Sequence, residues 1–207
     1  MVKIKVCGIT NLDDAIYAQE AGADFLGFVF AESPRRIEPE KAKEIICRIS
    51  EKVGIVALFV NEVKDTVHDI ADKLGRVDFF QFHGDESPEY CGQFYGKKII
   101  KAFRVKDEES INRIRDYGSV DYALLDGYSE KAYGGTGKGF DLDLALKAKA
   151  FDIPIFLSGG LNPDNVKQAA EKVMPYCVDV SSGVEISPGK KDHALVKRFI
   201  NTAKAEL

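Results

Sequence analysis

Eight times along this chain a short apolar run rich in Val, Ile and Phe ends in a small or reactive group and is followed by a stretch of helical character. The runs cover residues 3–7, 25–30, 55–60, 77–81, 98–103, 122–126, 154–157 and 177–180. Several are apolar on both faces, as strands covered by helices must be. Their ends carry Cys7, the Arg35-Arg36 pair, Asn61, Gln81 with His83, Arg104, Asp126, Ser158-Gly159-Gly160 and Ser181-Ser182-Gly183. An eightfold strand-helix repeat predicts an α/β fold, a single-domain (β/α)8 barrel over residues 1–207, and in such a barrel every strand end opens on one rim. The competing architecture, an open doubly wound sheet, typically carries a GxGxxG turn after its first strand; here Cys7-Gly8-Ile9-Thr10 stands in that place.

The helix starts are legible. Thr10-Asn11-Leu12-Asp13, Ser87-Pro88-Glu89 and Asn162-Pro163-Asp164 each put a capping oxygen before a first turn bearing an acid or a proline. Residues 63–74 and 195–200 then place apolar side chains at helical spacing.

Composition narrows the partner. With 45% apolar and 30% charged residues the chain is of ordinary globular type. A net charge of −4 with both signs interspersed offers no basic face for nucleic acid. The N-terminal residues 1–6 do not read as a signal peptide, and no apolar run approaches a membrane span, so a cytoplasmic protein without membrane contact is predicted. Cys7, Cys47, Cys91 and Cys177 are widely separated and form no CxxC. Reduced thiols, with neither a disulfide framework nor a metal site, are the expectation. The oligomeric state stays open.

The strongest local signal lies near the C-terminus. Two glycine-containing turns flanked by serines follow adjacent strands, and glycine lets backbone N–H groups approach an anion. Loops after strands 7 and 8 of such barrels commonly hold phosphate, so Gly159, Gly160, Ser181, Ser182 and Gly183 predict a small phosphorylated ligand. The bland alternative is a pair of tight turns. Residues 127–139 form a far longer connection than usual and read as a lid or as a surface loop. Gly137-Lys138 does not complete a nucleotide P-loop, since neither the earlier glycine nor the following hydroxyl residue is present.

Taken in order, Lys5-Val6-Cys7-Gly8-Ile9-Thr10, Gln81-Phe82-His83-Gly84-Asp85-Glu86, Gly134-Gly135-Thr136-Gly137 with Phe140-Asp141, Ser158-Gly159-Gly160-Leu161 and Asp179-Val180-Ser181-Ser182-Gly183-Val184-Glu185 resemble phosphoribosylanthranilate isomerase of tryptophan biosynthesis. The resemblance spans the whole chain. It implies a single barrel that needs no cofactor, converts N-(5-phosphoribosyl)anthranilate to 1-(2-carboxyphenylamino)-1-deoxyribulose 5-phosphate, and uses Gly135 as a further phosphate contact. Leu142 stands where the family often has Trp, and Arg36 where an aromatic residue is frequent.

Such an Amadori rearrangement needs one acid to open the sugar ring and one base to remove the C2 proton. Cys7 is the candidate base, a thiolate expected to titrate near neutrality in a polar site. Asp126 is the candidate acid. Read without the resemblance, Cys7 is a packed small hydrophobe and Asp126 a loop cap. His83 reads as an orienting residue toward Asp85 or a loop carbonyl. Arg35 or Arg36 fits the anthranilate carboxylate through two parallel hydrogen bonds, with the family's Ser-x-Arg pattern falling on Arg35; Arg104 is a weaker cationic candidate. Strand alternation puts Lys5 beneath Cys7 and Asp179 beneath Ser181 on neighbouring strands, predicting a buried Lys5–Asp179 pair that favours the thiolate. A related barrel, indole-glycerol-phosphate synthase, would show lysine and glutamate at its strand ends, and a non-catalytic phospholigand sensor would have no use for Cys7 opposite Asp126.

Overall fold

Three times the chain repeats a glycine, two residues, an aspartate and an aromatic: Gly22 to Phe25, Gly75 to Phe79 and Gly118 to Tyr122, with a one-residue difference in spacing at the first. In the computed structural model, which describes residues 1–127 and 142–205, each aspartate closes one strand against the next. Asp24 accepts from Ile4 N–H at 2.9 Å, Asp78 from Ile55 N–H at 2.8 Å and Asp121 from Ile99 N–H at 2.8 Å. The aromatic that follows starts or nearly starts a strand and turns inward.

The strands are β1 (Lys3–Cys7), β2 (Phe25–Val29), β3 (Gly54–Phe59), β4 (Phe79–Phe82), β5 (Lys98–Val105), β6 (Tyr122–Gly127), β7 (Ile155–Leu157) and β8 (Cys177–Val180). They pair in parallel in chain order, and β8 closes on β1 with Asp179 opposite Lys5. Helices α1 (Leu12–Ala21), α2 (Pro39–Ile46), α3 (Lys64–Leu74), α4 (Pro88–Cys91), α5 (Glu108–Asn112), α6 (Leu142–Ala148), α7 (Val166–Val173) and α8 (His193–Lys204) alternate with them. A small antiparallel pair, β9 (Glu185–Ser187) and β10 (Lys190–Lys191), stands between β8 and α8. This is the single (β/α)8 barrel that the repeat predicts.

Alternation divides the apolar side chains. Ile4, Val6, Leu26, Phe28, Ile55, Phe59, Phe80 and Phe82 face outward into the main core beneath the helices. Phe25, Val56, Ile100, Leu124, Phe156 and Cys177 fill the barrel, with Phe79 and Tyr122 packed against them. Phe25 meets Phe79 edge-on at 5.3 Å and Phe156 at 5.5 Å, so aromatic rings plug the end opposite the site. Each buried ring contributes about 1.5–3 kcal/mol of transfer free energy.

Most predicted strand bounds move by one or two residues, and two shifts have a visible cause. The fourth strand begins at Phe79 rather than at 77, because Asp78 spends its carboxylate on Ile55 N–H. The seventh helix begins at Val166 instead of directly after Asn162: Asn162 accepts from Asp164 N–H and Asn165 from Asn162 N–H, a local turn that postpones the helix. Asn11 and Ser87 cap α1 and α4 as read. The proposed lid, Gly135 and the Gly134 to Gly137 and Phe140-Asp141 motifs lie outside the described residues, apart from Gly127 at the end of β6.

Candidate active site

Cys7 ends β1 with its side chain inside the barrel among Val29 and Leu58, 7% exposed. Gly27 on β2 makes room for it: a methyl group there would stand 2.8 Å from Cys7 Sγ and 3.2 Å from Lys5 Nζ. Thiol and ammonium therefore lie within about 6 Å of each other, one layer apart on the same strand face. Lys5 is fully buried and donates to Asp179 Oδ1 at 2.9 Å across the β1–β8 closure, the contact that alternation predicts. Burial opposes the Lys5 charge, but Asp179 and Cys7 outweigh it and its pKa rises. The same enclosure acts differently on Cys7. Burial raises its pKa, Asp179 adds to the rise, and Lys5 and Lys191 only partly offset it. The expectation of a thiol titrating near neutrality does not hold here; desolvation outweighs the two ammonium groups.

A second buried network, which the sequence reading did not assign, supports the end of β1. Lys191 donates to Cys7 O at 2.6 Å and to Glu185 Oε1 at 2.8 Å. Glu185 in turn takes two hydrogen bonds from Arg35, at 2.9 Å from Nε and 2.7 Å from Nη2. Burial pushes the Glu185 carboxyl up, but Arg35 and Lys191 hold it below its ordinary value. Arg35 also packs over Gly8, whose φ is +77° and whose added methyl would collide with Arg35 Cδ at 2.6 Å. Arg35 is thus already engaged as a structural pair. Arg36 is half exposed, 3.6 Å from Glu38, and a parallel bridge to Val29 pins its backbone at the end of β2. Glu185 closes the Asp179 to Glu185 segment, whereas Lys191 carries no local signal in the sequence.

Asp126, one residue before the end of β6, is 2% exposed and stands opposite Arg104 in the ladder. His83 Nε2 lies 3.2 Å from Asp126 Oδ2, and His83 Nδ1 lies 2.8 Å from Gln81 Nε2. The predicted orienting role toward Asp85 is therefore corrected: His83 meets Gln81 and Asp126, whereas Asp85 accepts from Arg104 at 2.8 Å. The loop carrying His83 is fixed from behind. Lys101 donates to Gly84 O at 2.8 Å and Glu86 Oε2 at 2.9 Å, and Glu86 accepts from Asn61 N–H and Gly84 N–H.

The glycine turns after β7 and β8 stand beside these groups. A methyl group added at Gly159 (φ +89°) would lie 2.3 Å from Gly127 N and 3.1 Å from Asp126 Oδ1; Gly160 (φ +75°) follows. Gly183 packs against Leu161 O so tightly that a methyl group would lie 2.0 Å from it, which joins the two turns into one surface. Ser182 and Gly183 lie in a short 3-10 turn. Ser181 Oγ, beside Gly8, is buried with no hydrogen-bond partner among the described residues. Cys91 and Cys177 are buried, packed thiols, Cys47 is exposed, and no group of residues suited to a metal occurs among the described residues.

A family model for N-(5'-phosphoribosyl)anthranilate isomerase matches residues 4–202. The chain belongs to the phosphoribosylanthranilate isomerase family. Its relatives include the enzyme of that name from Geobacter sulfurreducens, 54% identical with 99% of each chain covered. Among solved structures, phosphoribosyl anthranilate isomerase from Thermotoga maritima superposes with a TM-score of 0.94 at 42% identity, covering both chains fully. A further isomerase structure, solved in complex with reduced 1-(o-carboxyphenylamino)-1-deoxyribulose 5-phosphate, matches with a TM-score of 0.90 at 41% identity over the whole of both chains. No described helix is long and apolar enough to cross a membrane.

Proposed function

We propose that this isomerase carries out the Amadori rearrangement of N-(5-phosphoribosyl)anthranilate to 1-(2-carboxyphenylamino)-1-deoxyribulose 5-phosphate, a step of tryptophan biosynthesis, in the cytoplasm. The observation that carries the reading is the placement of two buried groups, Cys7 and Asp126, at the ends of β1 and β6 above an aromatic-filled barrel, with the glycine turns alongside. Asp126 gives a proton to the ring oxygen as the C1–O bond breaks and its electron pair passes to oxygen. The nitrogen lone pair forms the C1–N double bond. Cys7, as thiolate, removes the C2 proton; the C2–H electrons become the C1–C2 double bond as the C1–N π pair returns to nitrogen, giving the enolamine, and loss of the C2 hydroxyl proton with gain of a proton at C1 then gives the ketone. One acid and one base account for every proton, so the chemistry calls for no cofactor.

Burial raises the Cys7 thiol above its ordinary value, and Lys5 and Lys191 are the groups that favour its thiolate. The phosphate is assigned to Gly159, Gly160, Ser181, Ser182 and Gly183, with Gly135 as the further contact. Unpartnered Ser181 Oγ supports that assignment, since a buried hydroxyl without a partner costs free energy that an anion would repay. The anthranilate carboxylate is assigned to Arg36, because Arg35 is held by Glu185. The test is a fluorescence assay of the purified chain with N-(5-phosphoribosyl)anthranilate. Enzyme-dependent loss of substrate fluorescence supports the reading; its absence overturns it.

A further inference from the structure

Gln81 sits in an unusual position for a buried amide. It is fully enclosed on the inward face of β4, one end 2.8 Å from His83 Nδ1, while Oε1 at the other end has no partner among the described residues. Nothing described locks the amide, and the contact to Nδ1 accommodates either orientation because a ring nitrogen both donates and accepts according to its tautomer. The two orientations differ in proton count. With the amide N–H toward Nδ1, the imidazole proton is on Nε2, is donated to Asp126, and leaves that residue an anion with nothing to deliver. With the amide carbonyl toward Nδ1, that nitrogen carries a proton, and the His83–Asp126 pair holds one more, shared between Nε2 and Oδ2.

We propose that Gln81 is a positioning residue whose carbonyl accepts from His83 Nδ1–H and so keeps the transferable proton on the His83–Asp126 pair. This deepens the acid role assigned to Asp126 and rests on that reading. A protonated pair is what ring opening consumes: the proton leaves Oδ2 for the sugar oxygen, and the pair returns to one proton fewer. Gln81 suits this place because it is neutral. An acceptor with full charge would hold the proton too firmly, and an apolar residue would leave the buried Nδ1–H without that acceptor.

The other charged groups around the pair are known among the described residues. Lys5 and Cys7 face it from β1, Asp179 from β8 and Arg104 from β5, with Asp85 in the loop after β4 and Lys101 and Glu86 behind it. Lys5 and Asp179 are mutually paired, as are Lys101 and Glu86. The strands β2, β3 and β7 put Val29, Leu58 and Phe156 inward and contribute no charge. Gln81 is therefore the only described side chain in hydrogen-bond contact with His83 Nδ1.

The direct test is nitrogen NMR of the intact protein labelled with 15N in its three histidines, His83 being assigned by its loss in His83→Asn. The inference requires Nδ1 of His83 to carry a proton at neutral pH. A proton on Nε2 alone overturns it. Kinetics give a second readout that a merely structural role would not move. In Gln81→Glu the limb of the kcat profile belonging to this pair moves up by about one pH unit or more, and in Gln81→Met it moves down by about one unit. Both variants must still bind the reduced product analogue, shown by calorimetry. Lower kcat in both with the limb unmoved overturns the proposal. Failure of the wild-type protein to turn over N-(5-phosphoribosyl)anthranilate would instead sink the function on which it rests, while the NMR result stands apart from turnover.

Discussion

Replacing Lys5 by Met removes the ammonium that most favours the Cys7 thiolate, and its effect follows from the geometry. The two groups lie within about 6 Å. At an effective dielectric of about 20, unit charges at that distance interact by about 2.8 kcal/mol, which corresponds to about two pH units. Lys5→Met therefore raises the Cys7 titration by about two pH units. Asp179→Asn has the opposite sign: it removes a carboxylate that raises the thiol pKa and leaves Lys5 to Cys7 alone, so the titration falls. Each single change breaks a buried pair and costs about 3–5 kcal/mol of stability, so Lys5→Met with Asp179→Leu serves as the better-folded control, its titration raised by less than in Lys5→Met. The assay is the pH dependence of Cys7 alkylation by iodoacetamide, located by peptide mapping. An unchanged titration in Lys5→Met, or single variants that shift in the same direction, would refute the reasoning.

Arg36→Met raises KM by about ten- to a hundredfold with little change in kcat, the worth of a charge-assisted pair made equally in ground and transition states; steady-state kinetics check this, and an unaltered KM returns the carboxylate to Arg35. Arg35→Met instead loosens Glu185 and Lys191 and lowers thermal stability, measured as Tm. Gly183→Ala drives a methyl group into Leu161 O and displaces both glycine turns, and Gly160→Ala strains a backbone held at φ +75°, so each weakens inorganic phosphate binding and lowers stability; calorimetric titration and thermal unfolding check them. Cys177, its pKa raised by burial, keeps its proton in the fold above the pH at which the unfolded thiol loses it, about 9. The unfolded chain then binds fewer protons, stability falls with rising pH, and Cys177→Ala reduces that slope by about 1 kcal/mol per pH unit in urea unfolding between pH 9 and 10.

The barrel was legible because strand and helix periods alternate eight times and because alternation within β1 and β8 places Lys5 and Asp179 on one face. Three features escaped. The glycine-to-aspartate-to-aromatic repeat before β2, β4 and β6 was present as text, yet its meaning, a carboxylate closing the preceding strand, depends on which strands are neighbours. The Arg35–Glu185–Lys191 network joins residues up to 156 positions apart and has no local signature. His83's partner Asp126 lies two strands away and 43 positions on, a property of register rather than of spacing. The titration of Cys7 was misjudged for a physical reason: a lysine two residues away is visible in sequence, but the depth of burial that outweighs it is not.

The account stands on Cys7 and Asp126 acting as base and acid. Single-turnover kinetics of Cys7→Ser and Asp126→Asn with N-(5-phosphoribosyl)anthranilate, alongside binding of the reduced product analogue, test it most directly. Each variant is expected to lose about 10² to 10⁴-fold in the chemical step while binding the analogue within a fewfold of wild type. Wild-type turnover in either variant would contradict the assignment.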